Sequence, residues 1–169
     1  MQGYGLSAPS ARRRSAPEDS GVVFKRESVT ERLKELDVVL ALLRRYADKT
    51  PADLQADLAL RWIVERGLLA GATLIFDVAD HILAAHFTLY PQTYRESLER
   101  LRDRGVISPS LWEKMATFAG LRNILAHEYM TIDIPKVHRQ FLRALETFPQ
   151  FQREVQEWLD REGKGHGDK

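Results

Sequence analysis

From Leu121 to Tyr129 the chain reads Leu-Arg-Asn-Ile-Leu-Ala-His-Glu-Tyr. Arg122, Asn123, His127 and Tyr129 are four chemically distinct polar groups set among aliphatic neighbours. On a helix, Arg122 and Tyr129 share one face, and Asn123 and His127, four apart, share the adjacent one. Arg122 and His127, five apart, flank the angle between the faces, and a long arginine can still converge with the imidazole on one phosphate. Such a set suits cleavage of an RNA phosphodiester without a metal ion. The 2′-hydroxyl must lose a proton and the leaving 5′-oxygen must gain one, and histidine titrates close enough to neutrality to serve either step. Arginine presents a planar, permanently charged fork to the non-bridging oxygens, where charge builds in the transition state. Asn123 is placed to orient His127 or to hold the phosphate. One histidine per chain is short of an acid–base pair. A two-fold dimer bringing two copies of the segment face to face would supply the second.

The same residues also fit a purely structural role. An Arg–Asn–His cluster near a helix end can be a buried polar network or a cap, Tyr129 a core or interface aromatic with a satisfied hydroxyl, and Glu128 a solvated charge. His81 and His86 are five apart, about 140° around a helix, which is poor for a shared metal ion, and they read as structural. No Gly-rich phosphate loop, dinucleotide fingerprint, His-Glu-x-x-His or serine-hydrolase elbow occurs. The chain has no cysteine, which removes disulfides, thiolate metal sites and cysteine nucleophiles.

The elements that position this segment read as helices. Val29, Leu33, Leu36, Leu40, Leu43 and Ala47 alternate spacings of three and four, an amphipathic seam for which Ser28 and Glu31 offer a capping box. Thr50-Pro51 supplies a cap and a first-turn proline for a long apolar segment that runs to about Phe87. Gly67 and Gly71 sit inside it. Small residues at that spacing predict close helix packing, within the monomer or across a dimer. After Tyr90-Pro91, a short helix is expected from about Thr93 to Arg104, ended by Gly105. Ser108-Pro109 opens the next, carrying Leu111, Trp112, Met115, Phe118 and Ala119 into Leu121 and beyond. Met130 to Asp133 reads as a connection, Pro135 restarts a helix, and Phe148-Pro149 is expected to interrupt or kink it. No run of alternating β-branched residues appears, so the fold class is all-α, a bundle of five or six helices.

The 169 residues suffice for one domain with a real core. A formal net charge of +1 excludes a strongly basic polyelectrolyte binder, though not a local basic site. Residues 1–21, rich in Gly, Ser, Ala, Pro and Arg, read as a disordered tail, 22–162 as the helical domain, and 163–169 as a second tail. Arg12, Arg13 and Arg14 lack a following apolar core, so neither a secretory nor a twin-arginine leader is expected. No uninterrupted apolar run of about 20 residues is present, and a cytoplasmic protein without a membrane partner is the expectation.

Arg122-Asn123-x-x-Ala126-His127-x-Tyr129, late in an all-α chain, resembles the HEPN superfamily motif, and more narrowly that of the HepT-type toxins, Arg-x-x-x-x-His-x-Tyr. Asp77-Val78-Ala79-Asp80-His81-Ile82 is similar to that subfamily's Asp-Ile-Ala-x-His-Ile segment, and Met115-Ala116-x-Phe118-x-x-Leu121 to its approach to the motif. The likeness spans roughly Ser28 to Leu159. It implies a HEPN-like bundle forming a two-fold homodimer and acting as the toxin of a toxin–antitoxin pair. The activity implied is that of a metal-independent endoribonuclease on an RNA substrate such as tRNA or mRNA. Arg122 and His127 would be catalytic, Asn123 would assist them, and Asp77 would support the cleft. The implied partner is an MntA-type nucleotidyltransferase antitoxin that uses ATP and magnesium to place AMP on Tyr129; the chain itself would need no cofactor. Bulk and negative charge beside the site would block and repel RNA phosphate. The alternative is a non-catalytic helical dimer that binds the nucleotidyltransferase and a nucleotide. The N-terminal extension departs from the family pattern.

Overall fold

The computed structural model describes residues 23–118, 120 and 133–165. Among these are six helices and no strand: α1 (Arg26–Arg44), α2 (Pro51–Ala56), α3 (Leu58–Phe87), α4 (Tyr94–Asp103), α5 (Pro109–Met115) and α6 (Ile134–Gly165). The all-α expectation is met.

α1 buries Val29, Leu33, Leu36, Leu40 and Leu43, the predicted seam up to its last position. Ala47 lies exposed in the turn beyond the helix. The start differs from the predicted cap: Lys25 is the N-cap, without a side-chain cap, and Ser28 sits inside the first turn. The backbone N–H of Lys25 instead donates to Nε2 of His81 at 3.3 Å. Phe24, next to it, packs on the rings of His81, His86 and Trp158, so tertiary contacts draw the chain into helix earlier than its local signals do.

The segment expected to run unbroken from Pro51 to Phe87 is two helices. α2 opens as predicted, on a Thr50 cap with proline in first place, and Asp53 completes a capping box. Asp57 then adopts an extended backbone and accepts the N–H of Leu60 at 3.0 Å. Its short carboxylate competes for backbone amides, closing one helix and capping the next. α3 is long and apolar enough by length and composition to cross a membrane, yet half of its most apolar window is buried in the bundle. It touches α1, α2, α4 and α6 and reads as the core helix. Its two glycines answer the packing question inside the monomer. A Cβ on Gly67 would lie 2.6 Å from Leu43 of α1, and one on Gly71 would lie 2.5 Å from the Phe148 ring of α6. Trp62, on the opposite side, is 58% exposed.

α3 ends on Thr88 in the left-handed conformation (φ 56°), where the N–H of Leu89 reaches back to the Leu83 carbonyl at 2.9 Å. α4 is capped by Thr93 and followed by Gly105 at φ 68°, and α5 is capped by Ser108, all as the sequence indicates. α5 does not continue smoothly, since Ala116 and Thr117 form a turn before helix resumes at Phe118. α6 also differs from expectation. Pro149 lies within one continuous helix that runs to Gly165. Its buried stripe, Ile134, Val137, Phe141, Ala144, Phe148, Phe151, Val155 and Trp158, alternates spacings of three and four and crosses the proline without losing register.

Candidate active site

Arg122, Asn123, His127 and Tyr129 lie outside the described residues, but the anchors on both sides of the segment are within them. On the upstream side, Phe118 is buried with its ring 5.2 Å from that of Phe148. Thr117 donates to Gln140 Oε1 at 3.2 Å and accepts from Arg143 at 3.0 Å, while Lys114 pairs with Glu146 at 2.6 Å. All three partners belong to α6. On the downstream side, Asp133 caps α6 by accepting the N–H of Lys136 at 2.9 Å. Nε2 of His138, one turn on, sits 2.7 Å from the Lys49 carbonyl before α2. The chain thus leaves α5 and re-enters α6 at two points fixed to the same core.

Asp77 is exposed on α3 and has no hydrogen-bond partner among the described residues. One turn on, Asp80 does have one: the Ser97 hydroxyl of α4 donates to its Oδ1 at 2.7 Å. Burial pushes the Asp80 carboxyl above its ordinary range; the Ser97 hydrogen bond opposes this, and the Asp77 charge adds a smaller upward push. This Asp80–Ser97 pair had no sequence signal, because its members sit on different helices.

The other described histidines have structural partners. Burial, then the charge of Arg32, hold His81 below its usual pKa, against the Lys25 hydrogen bond that raises it. His86 pairs with Glu162 at 3.3 Å and meets Trp158 edge-on at 5.0 Å. Both fasten α3 to the first and last described helices, around the same Phe24 ring.

The architecture defines the class first: this is the HEPN type of helical fold. It superposes on the tri-AMPylated Shewanella oneidensis HEPN toxin in complex with MNT antitoxin with a TM-score of 0.70. That match covers 79% of this chain and 99% of that one at 21% identity, a likeness of fold. The Ribonuclease HepT-like family matches residues 36–156, and the chain belongs to that family. Among its relatives, a tRNA nuclease HepT of Aphanizomenon flos-aquae is 28% identical over 131 residues, which is 78% of this chain and 89% of that protein. An mRNA nuclease HepT of Shewanella oneidensis is 32% identical over 75 residues, 44% of this chain and 56% of that protein.

Proposed function

We propose that this protein is the ribonuclease toxin of a toxin–antitoxin pair, cleaving RNA without a metal ion through Arg122 and His127. The observation that carries the reading is the Arg122-Asn123-x-x-Ala126-His127-x-Tyr129 motif, falling inside the region matched to the HepT-like family and between two anchored helices. His127 moves the proton, Arg122 neutralises the phosphate oxygens, and Asn123 holds the imidazole or the phosphate in place. Because one chain offers one motif histidine, the acid and the base come from two copies in a homodimer. The substrate is tRNA or mRNA, as the names of the two relatives support. Asp77, on the exposed face of α3, supports the cleft.

A nucleotidyltransferase antitoxin of the MntA type silences the enzyme by transferring AMP from ATP, with magnesium, to Tyr129. The AMPylated state of the structurally similar Shewanella toxin supports this. The pair acts in the cytoplasm, and the chain needs no cofactor for cleavage.

The test is cleavage of RNA by purified, unmodified protein in excess EDTA. Arg122→Ala and His127→Ala are expected to cut the rate by about 10²- to 10⁴-fold with the fold and dimer retained. Equal cleavage by wild type and His127→Ala would sink the assignment. A wild type that is inactive with an unmodified Tyr129, by mass spectrometry, would favour a non-catalytic partner of the nucleotidyltransferase.

A further inference from the structure

A cavity of about 590 Å³ opens where α3 meets the start of α4, lined among the described residues by Asp80, residues 91–95 and Ser97. Its volume lies in the range of small-molecule sites, roughly 300–1,000 Å³. Three of its groups are held in place or left available in a way that suggests a ligand. The Asp80 carboxylate is aimed by the buried Ser97 hydroxyl through Oδ1, while Oδ2 has no hydrogen-bond partner among the described residues. The Tyr94 ring is fixed against Phe76, with centroids 4.3 Å apart. Arg95 is exposed, 5.9 Å from the Trp112 ring, and forms no ion pair among the described residues.

An ionised carboxylate accepts hydrogen bonds and donates none. A ligand that engages it edge-on must present two N–H donors side by side. Among the RNA bases, guanine does so, through N1–H and the 2-amino group. Adenine and cytosine place their amino group beside an acceptor, and uracil places its single N–H between two acceptors. A protein arginine offers a similar fork, but Arg95 at the rim repels that cation and attracts a phosphate.

We propose that this cavity is a guanine-reading subsite for the RNA strand, with Asp80 on the Watson–Crick edge, Tyr94 as the aromatic wall and Arg95 on the adjoining phosphate. The inference rests on the ribonuclease reading and gives it a substrate preference.

The experiment is calorimetric titration of the full chain with GMP, IMP, AMP, CMP, UMP and guanosine. GMP is expected to bind about tenfold more tightly than AMP, CMP or UMP, with IMP, which lacks the 2-amino group, in between. Asp80→Asn, which still accepts the Ser97 bond, should abolish that preference, its fold checked by circular dichroism. Should that variant fail to fold, the exposed Arg95→Ala is expected to weaken GMP several-fold and leave guanosine unchanged. Uridine-rich RNA carrying one guanosine should displace GMP, which separates a strand subsite from a free-nucleotide site. Equal binding of all nucleotides, binding of none, a retained GMP preference in Asp80→Asn, or displacement by an arginine peptide in place of that RNA would each overturn the proposal. RNA cleavage in EDTA reports on the nuclease reading separately: cleavage without GMP binding removes the subsite alone, and GMP binding without cleavage removes the nuclease and the subsite's part in substrate choice, leaving a guanine site.

Discussion

At the scale of single residues, His81 couples the start of the bundle to pH. Its folded-state pKa lies below the ordinary value of 6.5, chiefly through burial. The unfolded chain therefore takes up more protons than the folded one as pH falls past 6.5, and stability must drop there. Protonation also removes the acceptor for the Lys25 N–H. Melting temperature is expected to fall as pH passes below that value in the wild type. The decline should be smaller in His81→Asn, and the difference between the two curves isolates this group from acids such as Asp80. The segment proposed to carry the chemistry stands out in the sequence because Arg, Asn, His and Tyr set close together among aliphatic residues are anomalous. Asp80 and Ser97 were not, since they are 17 residues apart and only the α3–α4 contact joins them. The family pattern drew attention to Asp77, whereas the hydrogen-bonded carboxylate is the next acid on that helix.

At the scale of elements, caps were the most readable feature. Thr50, Thr93 and Ser108 all accept the backbone N–H three residues on. Thr50→Ala is expected to lower stability by about 1 kcal/mol in chemical denaturation. The breakers were harder to rank, since the weaker one, Asp57, split a helix while Pro149 did not. A proline inside a helix costs about 3 kcal/mol. Burying a large apolar side chain returns about 1.5–3 kcal/mol, and Phe148 and Phe151 on either side are both fully buried. Packing therefore outweighs the lost hydrogen bond. The α3 glycines give a matched pair of tests. A helical Gly→Ala change ordinarily gains about 1 kcal/mol. At Gly71 the new methyl meets the edge of a fully buried ring at 2.5 Å; an overpacking cost of about 1–3 kcal/mol opposes that gain, and a net loss of up to about 2 kcal/mol is expected. At Gly67 it meets the tip of a leucine, which can rotate away, so Gly67→Ala should cost less than Gly71→Ala. Equal effects in denaturant melts would show that the Phe148 contact is softer than its geometry implies.

At the scale of the whole molecule, the first and last described helices fasten each other. Arg26 of α1 pairs with Asp160 and donates to the Leu159 carbonyl at 2.6 Å, while Gln152 donates to the Leu33 carbonyl at 2.8 Å and to Asp37 at 2.9 Å. Phe24 joins His86 and Trp158 in one aromatic group across the same seam. Periodicity predicted the α1 stripe but not which helix it meets, because side-chain spacing carries no information about partners far along the chain. Deleting residues 151–169 is expected to abolish the cooperative thermal transition, read by near-ultraviolet circular dichroism, since Phe151, Val155, Trp158 and Leu159 are all buried. The α1–α6 seam also sets the timing of biosynthesis. Its partners lie more than a hundred positions apart, so α1 cannot dock until α6 has emerged from the ribosome. A domain built this way completes its bundle late, because each of these contacts needs residues from both of its ends.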